Sequence, residues 1–500
     1  MPTTRRRTSL FLALLSLTSL CGCRIASLAE PAPEKTGTAE VVTQAETGAE
    51  AGQTVLGVLA VVPGSSGSVA DPMAVAAVAA SGAHTMRINL DWAISEPRPG
   101  DLSFDTLNDL RIARIEGAGL RLFPTLYVGQ GWMTRDSPQG AGGGSRSYPP
   151  ADLGTVWEND SGYSPGYYDF VYRFFEHYRG HFDFVAVENE AESKSFWGGT
   201  AEEYVRLLKT AYAAIKAADP AVTVVDSGFV SEALGLCIAG DRIETGQWSM
   251  DEAVQFTQLY YSAQTGRIRV RSRADLDAAL NQAQAKEQCR RIRVMLEGEA
   301  GSVDAINFHF YEDYRALPAV VAWLRETTSR IGYRTALVTN EMGVRGPDIR
   351  FAESEAQAEQ VFKKLVTSQT LGLEAVVWFS ADTFLRGRDK VGLFGSEGMS
   401  RPASQTFKLV AETLNGGYRF RATVVSGPSL YHHVFEDADG VPSLEMLWTE
   451  GMAESVTLQP PGGRTQATVV DYTGESRSLT AQDGSLKLEW VTDPILVIWR

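Results

Sequence analysis

Short apolar runs alternate with amphipathic segments from residue 55 onward. Eight runs have the length and composition of buried strands, at residues 55–62, 84–90, 120–128, 182–189, 221–227, 303–311, 334–341 and 373–380. Asp71-Pro72 follows the first run with a helix N-cap and a proline at the first helical position. Capping boxes open three later segments, at Thr200, Ser249 and Ser354. The pattern therefore predicts strands and helices in alternation.

Eight strand–helix units in succession predict an α/β fold, a (β/α)8 TIM barrel, over residues 54–416. Residues 230–300 are expected to be an insert with at least one helix, which makes the barrel larger than usual. A doubly wound open sheet is the alternative. It is disfavoured because no glycine-rich phosphate-binding turn follows the first strand.

The pattern changes after residue 417. Short alternating strands are separated by Asp-Gly turns such as Asp437-Ala-Asp-Gly440 and Asp483-Gly484. A segment of this kind, about 80 residues long, is typical of a small all-β sandwich. We therefore expect a C-terminal β-sandwich domain over residues 417–500.

The N-terminus has the pattern of an export signal. Three arginines at positions 5–7 precede an apolar run over 10–20 that is too short to span a bilayer comfortably. The run ends in Leu20-Cys21-Gly22-Cys23, which resembles a bacterial lipobox, whose cysteine is acylated after cleavage. We expect a lipoprotein signal peptide over 1–22 and lipid attachment at Cys23. An ordinary secretory signal is the alternative.

Residues 23–53 are rich in Ala, Glu, Thr, Gly and Pro and have no apolar periodicity, which predicts a flexible tether. A lipid on Cys23 would anchor the chain to a membrane of the bacterial cell envelope, on its periplasmic or cell-surface face. A simple secretory signal would instead make the protein secreted.

Charge and residue counts narrow the function classes. The chain has 46 Lys and Arg against 61 Asp and Glu, a net charge of −15, which argues against a nucleic-acid binder. Six histidines are few for 500 residues and disfavour a multi-histidine metal enzyme, so no metal or cofactor is expected.

Outside the cytoplasm, Cys237 and Cys289 either form a disulfide or remain two buried thiols.

Polar residues stand at the carboxyl ends of the predicted strands, where a barrel of this type has its active site. The residues are Arg87, Asn89, Asp91, Glu188, Asn189, Glu190, Asn307, His309, Tyr311, Asn340 and Glu341. Glu190 and Glu341 come from opposite sides of the expected mouth. Glycoside hydrolysis needs such a pair, one carboxyl as general acid and one as nucleophile or base. Arg87 is placed to keep the nucleophile ionised through a charge-assisted hydrogen bond.

The segment 87–126, with its Trp…Glu-Pro-x-Pro-Gly…Phe-Asp run, resembles the second strand, helix and third strand of clan-A glycoside hydrolases. This large retaining superfamily includes cellulase-like and xylosidase-like families, and the resemblance covers residues 55–415. It implies that Glu190 is the acid/base, that Asn189 binds the sugar 2-hydroxyl and that Glu341 is the nucleophile. Arg87 matches the arginine of the second strand.

The same resemblance extends to aromatic residues. Tyr311, in the motif His309-Phe-Tyr311, is implied to contact the nucleophile, and Trp378 to form the platform under the sugar in the −1 subsite. Trp132 lies in a long loop and is a further aromatic expected to contact the sugar. Leu126-Tyr127 stands where some cellulase-like members have a histidine, which argues against a close cellulase-like assignment.

The sequence therefore predicts a retaining glycoside hydrolase that acts on β-linked oligosaccharides or polysaccharides. A non-catalytic carbohydrate-binding lipoprotein on the same barrel is the alternative, and it would need the aromatic residues but not both carboxylates. A metal-dependent hydrolase is a third hypothesis. It is disfavoured because the six histidines do not fall at matching strand ends.

Overall fold

The computed structural model describes residues 40–43, 53–60, 72–104, 108–137, 146–262, 268–346, 349–381, 392–395, 398–425 and 429–500. The predicted signal peptide, Cys23, the helix start at Asp71 and most of the predicted tether lie outside these ranges. Their assignments stay predictions.

Eight parallel strands close into a barrel, which confirms the predicted (β/α)8 fold. They are β2 (Val55–Leu59), β3 (Thr85–Asp91), β4 (Arg121–Tyr127), β5 (Phe184–Val187), β6 (Thr223–Val225), β7 (Ala305–Phe310), β8 (Ala336–Met342) and β9 (Ala375–Phe379). Each overlaps one of the eight predicted runs. The strands are apolar on both faces because one face lines the barrel interior and the other contacts the surrounding helices.

Helices connect the strands and cover the outside of the barrel. They are α1 (Pro72–Ala80), α2 (Trp92–Ser95), α3 (Asn108–Gly117), α4 (Pro165–His177), α5 (Ala201–Ala218), α6 (Ser231–Glu244), α7 (Met250–Tyr260), α8 (Arg273–Leu280), α9 (Ala283–Gly298), α10 (Leu317–Ile331), α11 (Ile349–Ala352), α12 (Glu355–Thr370) and α13 (Pro402–Asn415). None of the described helices has the length and apolar character needed to cross a membrane.

Two of the three predicted capping boxes form. The side chains of Thr200 and Ser249 each accept a hydrogen bond from the backbone N–H three residues later, and the glutamate there returns one. Ser354 also stands at a helix N-cap, but its hydroxyl donates to the Phe351 carbonyl at 2.6 Å instead. A serine hydroxyl can accept from the N–H three residues later or donate to the carbonyl three residues earlier, and the sequence motif alone does not show which bond forms.

Helices α6 to α9 form the insert expected over residues 230–300. Cys237 on α6 and Cys289 on α9 are joined by a disulfide with a Cα–Cα distance of 5.3 Å. The bond ties the first helix of the insert to the last, and α9 also packs on α5 of the barrel. The insert is therefore held to the barrel wall by packing and closed on itself by a covalent link.

The C-terminal region is an antiparallel β-sandwich. Its strands are β10 (Arg419–Val425), β11 (Leu430–Glu436), β12 (Pro442–Thr449), β13 (Glu454–Leu458), β14 (Gln466–Asp471), β15 (Ser476–Thr480), β16 (Leu486–Val491) and β17 (Ile495–Trp499). Six of them form a sheet in the order β10-β11-β12-β17-β14-β15, and β13 pairs with β16 as a second sheet. Side chains of both sheets share one apolar core.

A seventh strand of the large sheet comes from the N-terminal side of the barrel. β1 (Glu40–Thr43) pairs antiparallel with β10, with Glu40 opposite Val425. This strand falls inside the segment predicted as a tether. These four residues do not alternate between apolar and polar, so the sequence gives no sign of a strand here. Their pairing also depends on a partner strand almost 400 residues away.

The large sheet also packs against the barrel. Trp448 on β12 is fully buried, and its indole N–H donates to the Tyr314 hydroxyl at 2.9 Å. The Tyr314 hydroxyl donates in turn to Glu450 at 2.7 Å, which also accepts from Lys363 on α12 at 2.6 Å. A buried tryptophan, a tyrosine and an ion pair therefore join the two regions.

Removing the disulfide should destabilise the fold without altering the barrel mouth. The double variant Cys237→Ser/Cys289→Ser should lose about 4 kcal/mol of unfolding free energy in the chain-entropy model, because the bond closes a loop with a sequence separation of 52. Urea unfolding followed by circular dichroism measures the loss. Wild type kept in dithiothreitol is the matched control and should unfold with the variant. An unchanged midpoint in both would show that the disulfide does not stabilise the fold.

Candidate active site

Six of the predicted site residues meet at the carboxyl ends of the barrel strands. Arg87 lies in β3, Asn189 and Glu190 follow β5, His309 lies in β7, Tyr311 follows β7, and Glu341 lies in β8. Hydrogen bonds join Arg87 to Asn189 and Glu341, Tyr311 to Glu341, and His309 to Glu190. Nδ1 of His309 lies 3.7 Å from Oε1 of Glu341, which connects the two sets by an ion-pair contact. These side chains therefore lie at the end of the barrel where parallel barrels have their active sites.

A strained turn positions Glu190. Strand β5 ends at Val187, and Glu188 and Glu190 then adopt left-handed backbone conformations with φ of 67° and 46°. Residues other than glycine rarely take such values, which cost about 1–3 kcal/mol each. The backbone N–H of Glu190 donates to the Ser227 carbonyl at 2.9 Å, which fixes the turn against β6.

Arg87 is the centre of the hydrogen-bond network, and only 2% of it is exposed. Its Nη1 donates to Oε2 of Glu341 at 2.9 Å and to the Asn340 carbonyl at 2.8 Å. Its Nη2 donates to Oδ1 of Asn189 at 2.8 Å, and its Nε to the Thr125 hydroxyl at 3.0 Å. One guanidinium therefore orients the predicted nucleophile and the predicted sugar-binding amide together.

Glu341 is held ionised. Burial by itself raises the pKa of this carboxyl, but the positive charges of His309 and Arg87 and the hydrogen bonds from Tyr311 and Arg87 lower the pKa below its ordinary value. The Tyr311 hydroxyl donates to Oε1 at 2.5 Å, and Arg87 donates to Oε2. Both carboxylate oxygens are therefore fixed by donors.

Glu190 pairs with His309, which is fully buried. Nδ1 of His309 lies 2.7 Å from Oε1 of Glu190, and Nε2 lies 3.0 Å from Oδ1 of Asn340. Burial lowers the pKa of His309, but the charges of Glu341 and Glu190 and the hydrogen bond to Glu190 raise it above its ordinary value. Gly228 packs against this ring, and a Cβ there would lie 2.5 Å from Nε2. The imidazole therefore needs glycine at position 228.

Ligand atoms of Glu190, His309 and Glu341 lie within 4.8 Å of one another, the only such cluster of potential metal ligands among the described residues. An oxygen of Glu190 therefore lies within 4.8 Å of an oxygen of Glu341, which is compatible with the carboxyl separation of roughly 5–5.5 Å in retaining glycosidases. The same spacing could hold a cation. Arg87 places a positive charge 2.9 Å from Glu341, and His309 has a raised pKa, so the electrostatics disfavour a divalent cation here.

Glu188 and Glu192 flank Glu190 in the sequence, and their carboxyl groups bind backbone elsewhere. Oε1 of Glu188 accepts from the Val128 N–H at 2.7 Å, and Oε1 of Glu192 accepts from the Val230 N–H at 2.5 Å. Burial raises the pKa of each to about 8. Both are thus neutral structural acids near pH 7, and of the three acids it is Glu190 that meets His309 and lies near Glu341.

The structure does not bring Trp378 to this group. Trp378 is fully buried in the apolar layer that contains the surrounding helices, whereas Val377 and Phe379 belong to the cluster inside the barrel. Phe379 lies with its ring centroid 5.8 Å from that of Tyr311. Phe379 is therefore the aromatic residue that β9 contributes at the mouth. Sequence alternation does not select between the two neighbours, because both faces of β9 are apolar.

Trp132 and Tyr127 lie on the same side of the barrel. The Trp132 ring is 43% exposed in the loop after β4, and its indole N–H donates to the Glu96 carbonyl at 2.8 Å. Tyr127 ends β4. Burial raises the pKa of its hydroxyl, the charge of Arg87 opposes that rise, and Glu188, Glu341 and Glu190 add to it. Tyr127 therefore lies within the electrostatic field of Arg87, Glu190 and Glu341, although its sequence position marks it only as a departure from cellulase-like enzymes.

No family model matches the chain, and no curated protein matches it by sequence. Solved structures do match. A family 39 glycoside hydrolase from the gut symbiont Bacteroides cellulosilyticus WH2 aligns with a TM-score of 0.59 at 15% identity, over 89% of this chain and 81% of that chain. A family 39 β-xylosidase from Caulobacter crescentus aligns at 0.56 and 14% identity, over 90% and 96%.

A glucosidase from Croceicoccus marinus also aligns, with a TM-score of 0.55 at 15% identity, over 89% of this chain and 96% of that chain. The chain therefore has the fold of these glycoside hydrolases along almost its whole length. The resemblance to clan-A glycoside hydrolases inferred from sequence is confirmed at the level of the fold.

Glu188 should make stability depend on pH. Its pKa is about 8 in the folded chain and near 4.3 when unfolded, so the folded state holds an extra proton between these values. Stability is therefore lost as pH rises through that window, by about 1.4 kcal/mol per pH unit for one proton. Glu188→Gln should remove this part of the slope.

Urea unfolding of wild type and Glu188→Gln from pH 5 to pH 9 measures the difference. The stability of the variant relative to wild type should rise with pH up to about pH 8 and stay constant above it. Glu176→Gln, on the exposed face of α4, is the control and should follow wild type. Parallel curves for Glu188→Gln and wild type would contradict the raised pKa.

Proposed function

We propose that the chain is a retaining glycoside hydrolase that cleaves β-linked O-glycosidic bonds, with Glu341 as nucleophile and Glu190 as acid/base. The observation that carries the proposal is the near approach of the two carboxyl groups, within 4.8 Å, at the mouth of a barrel with a glycoside hydrolase fold. An inverting enzyme needs about 6.5–9.5 Å to admit a water between its carboxyl groups.

In the first step Glu341 attacks the anomeric carbon. The ionised state that Arg87 and His309 favour is the reactive state of this carboxylate, and Tyr311 and Arg87 fix its two oxygens. Glu190 gives a proton to the leaving oxygen as the glycosidic bond breaks. The product of this step is a glycosyl ester on Glu341 and a free alcohol.

In the second step a water replaces the leaving group. Glu190, now ionised, takes a proton from that water while the water oxygen attacks the anomeric carbon and Glu341 departs. Two inversions give overall retention. His309 supports both steps, because a positive imidazolium beside Glu190 stabilises the carboxylate that forms when the proton leaves.

The substrate class is an oligosaccharide or polysaccharide. Asn189 supports this. Arg87 donates to its Oδ1, so the amide NH2 points away from Arg87 and can donate a hydrogen bond to a sugar hydroxyl. Phe379 and Tyr311 supply apolar surface at the mouth. The structural neighbours include a β-xylosidase and a glucosidase, so both xylosides and glucosides belong in the first substrate panel.

The proposal is tested on the full chain with mechanism-based glycosidase inactivators that differ in sugar configuration. Wild type should gain the mass of one glycosyl group, and peptide mapping should place it on Glu341. Glu341→Ala should gain none. Glu190→Ala should lose about 10²–10⁴-fold in kcat/KM on substrates with poor leaving groups, and azide should raise its kcat on aryl glycosides with good leaving groups, where breakdown of the ester on Glu341 limits turnover. Glu188→Gln, two residues away, is the control and should remain active.

An adduct on a different carboxylate would overturn the assignment. Binding of oligosaccharides without an adduct or turnover would favour a non-catalytic carbohydrate-binding protein. Activity that disappears with a chelator and returns with a divalent cation would instead place a metal among Glu190, His309 and Glu341.

Arg87 should set the acidic limb of the pH–activity profile. Its charge lowers the pKa of Glu341, so Arg87→Gln should raise that pKa and move the acidic limb to higher pH by about 1–3 units. The measurement is kcat/KM against pH on an aryl glycoside. Arg111→Gln removes a buried arginine of α3 and is the control for general destabilisation. A limb that stays in place in Arg87→Gln would refute the electrostatic role.

A further inference from the structure

The C-terminal sandwich contains a cavity that the proposed active site does not use. Its volume is about 370 Å³, in the range of small-ligand sites. Its lining comes from the ends of β14 and β16, from the turns that follow them, and from the start of α12. No residue of the catalytic group lines it.

Trp490 forms one wall of this cavity and is 75% exposed. The other tryptophans of the sandwich, Trp448 and Trp499, are buried. An indole left in water forgoes the large gain that burial gives an aromatic ring. The exposure of Trp490 therefore needs a structural cause, and the geometry of its strand supplies one.

A β-bulge turns Trp490 outward. Along β13, Glu454 pairs with Val491 and Val456 with Leu488, so Glu489 and Trp490 oppose a single residue on the partner strand. Trp490 has φ of 59°, in the left-handed region that asparagine and glycine prefer. Bulges re-aim side chains, and strain of this kind persists only where the surrounding structure enforces it.

The rest of the lining combines apolar side chains of Tyr472, Leu488, Val491 and Ile495 with charged groups that are mostly acidic. Five carboxylates, from Glu355, Asp471, Glu475, Glu489 and Asp493, accompany one guanidinium, from Arg477. This charge repels phosphates and anionic lipid headgroups. Carboxylates accept hydrogen bonds from hydroxyls, and Arg477 can donate to a ring or hydroxyl oxygen. A neutral ligand with one apolar face and many hydroxyls satisfies both the indole and this lining.

We propose that Trp490 and the surrounding cavity form a second carbohydrate-binding site, which holds a neutral glycan by stacking a sugar ring on the indole. The site deepens the proposed function, because it would keep a polymeric substrate on the protein while the barrel cleaves it. Binding itself does not depend on catalysis.

Affinity electrophoresis of the full chain tests the proposal. The gels contain xylan, mixed-linkage β-glucan, galactomannan or arabinan, and every chain carries Cys23→Ser so that no acyl chain contributes. Migration should be retarded by at least one polymer, and Trp490→Asn should raise the dissociation constant at least fivefold. Asparagine suits the left-handed backbone, so this variant should keep the wild-type melting temperature.

Trp490→Tyr, which keeps an aromatic face, should retain most of the retardation. Met452→Ala is the matched control, because Met452 is 86% exposed in the sandwich but does not line the cavity. For all three variants, kcat/KM on a small aryl glycoside should equal that of wild type. Equal retardation of wild type and Trp490→Asn, or no retardation of wild type by any polymer, would overturn the proposal.

Two further outcomes distinguish a glycan site from a membrane contact and glycan binding from catalysis. Co-sedimentation with phosphatidylcholine/phosphatidylglycerol vesicles that Trp490→Asn abolishes would make the indole a membrane contact and overturn the proposal. Retardation that depends on Trp490 in a chain without any glycosidase activity would support the binding site and refute the proposed function instead.

Discussion

The geometry of the barrel mouth depends on one buried positive charge. Arg87 is almost fully enclosed, so its guanidinium must be satisfied by protein oxygens or destabilise the fold. It uses oxygens that come from β4, from the turn after β5 and from β8, and the carboxylate of Glu341 supplies the compensating charge. Removing one partner of such a buried pair typically costs about 3–5 kcal/mol. Three separate parts of the barrel are therefore kept in register by a single side chain.

That requirement also divides the acids of the mouth into two chemical types. Glu341 lies beside Arg87 and is ionised, whereas Glu188 and Glu192 are buried without a salt-bridge partner among the described residues and stay protonated. Glu190 lies between these environments, in contact with an imidazole that can itself carry charge. Three glutamates within five residues thus differ in role because of their contacts rather than their type.

The barrel and most of the side chains that meet at its mouth could be predicted from the sequence. Apolar runs separated by capping signals are local features, and the rule that parallel strands end at one mouth converts them into a site containing Arg87, Glu190 and Glu341. The aromatic residue that β9 contributes at the mouth could not be predicted in the same way. Trp378 and Phe379 are adjacent and β9 is apolar on both faces, so the sequence does not indicate which one faces inward.

Strand pairing between distant segments could not be predicted from the sequence either. The strand Glu40–Thr43 exists because β10 offers it an open edge, a condition set by the folded sandwich and not by its four residues. The bulge at Trp490 likewise depends on the register of β13 against β16. Local patterns specify elements, whereas partners that lie far apart in the chain decide edges and irregularities.

The strand Glu40–Thr43 has a practical consequence for handling the protein. It covers the outer edge of β10, whose N–H and C=O groups would otherwise be free to pair with another molecule. A shortened chain that begins after residue 50 would remove the predicted export signal and also uncover that edge. Soluble versions are therefore best begun before residue 40, so that edge-to-edge aggregation of the sandwich stays blocked.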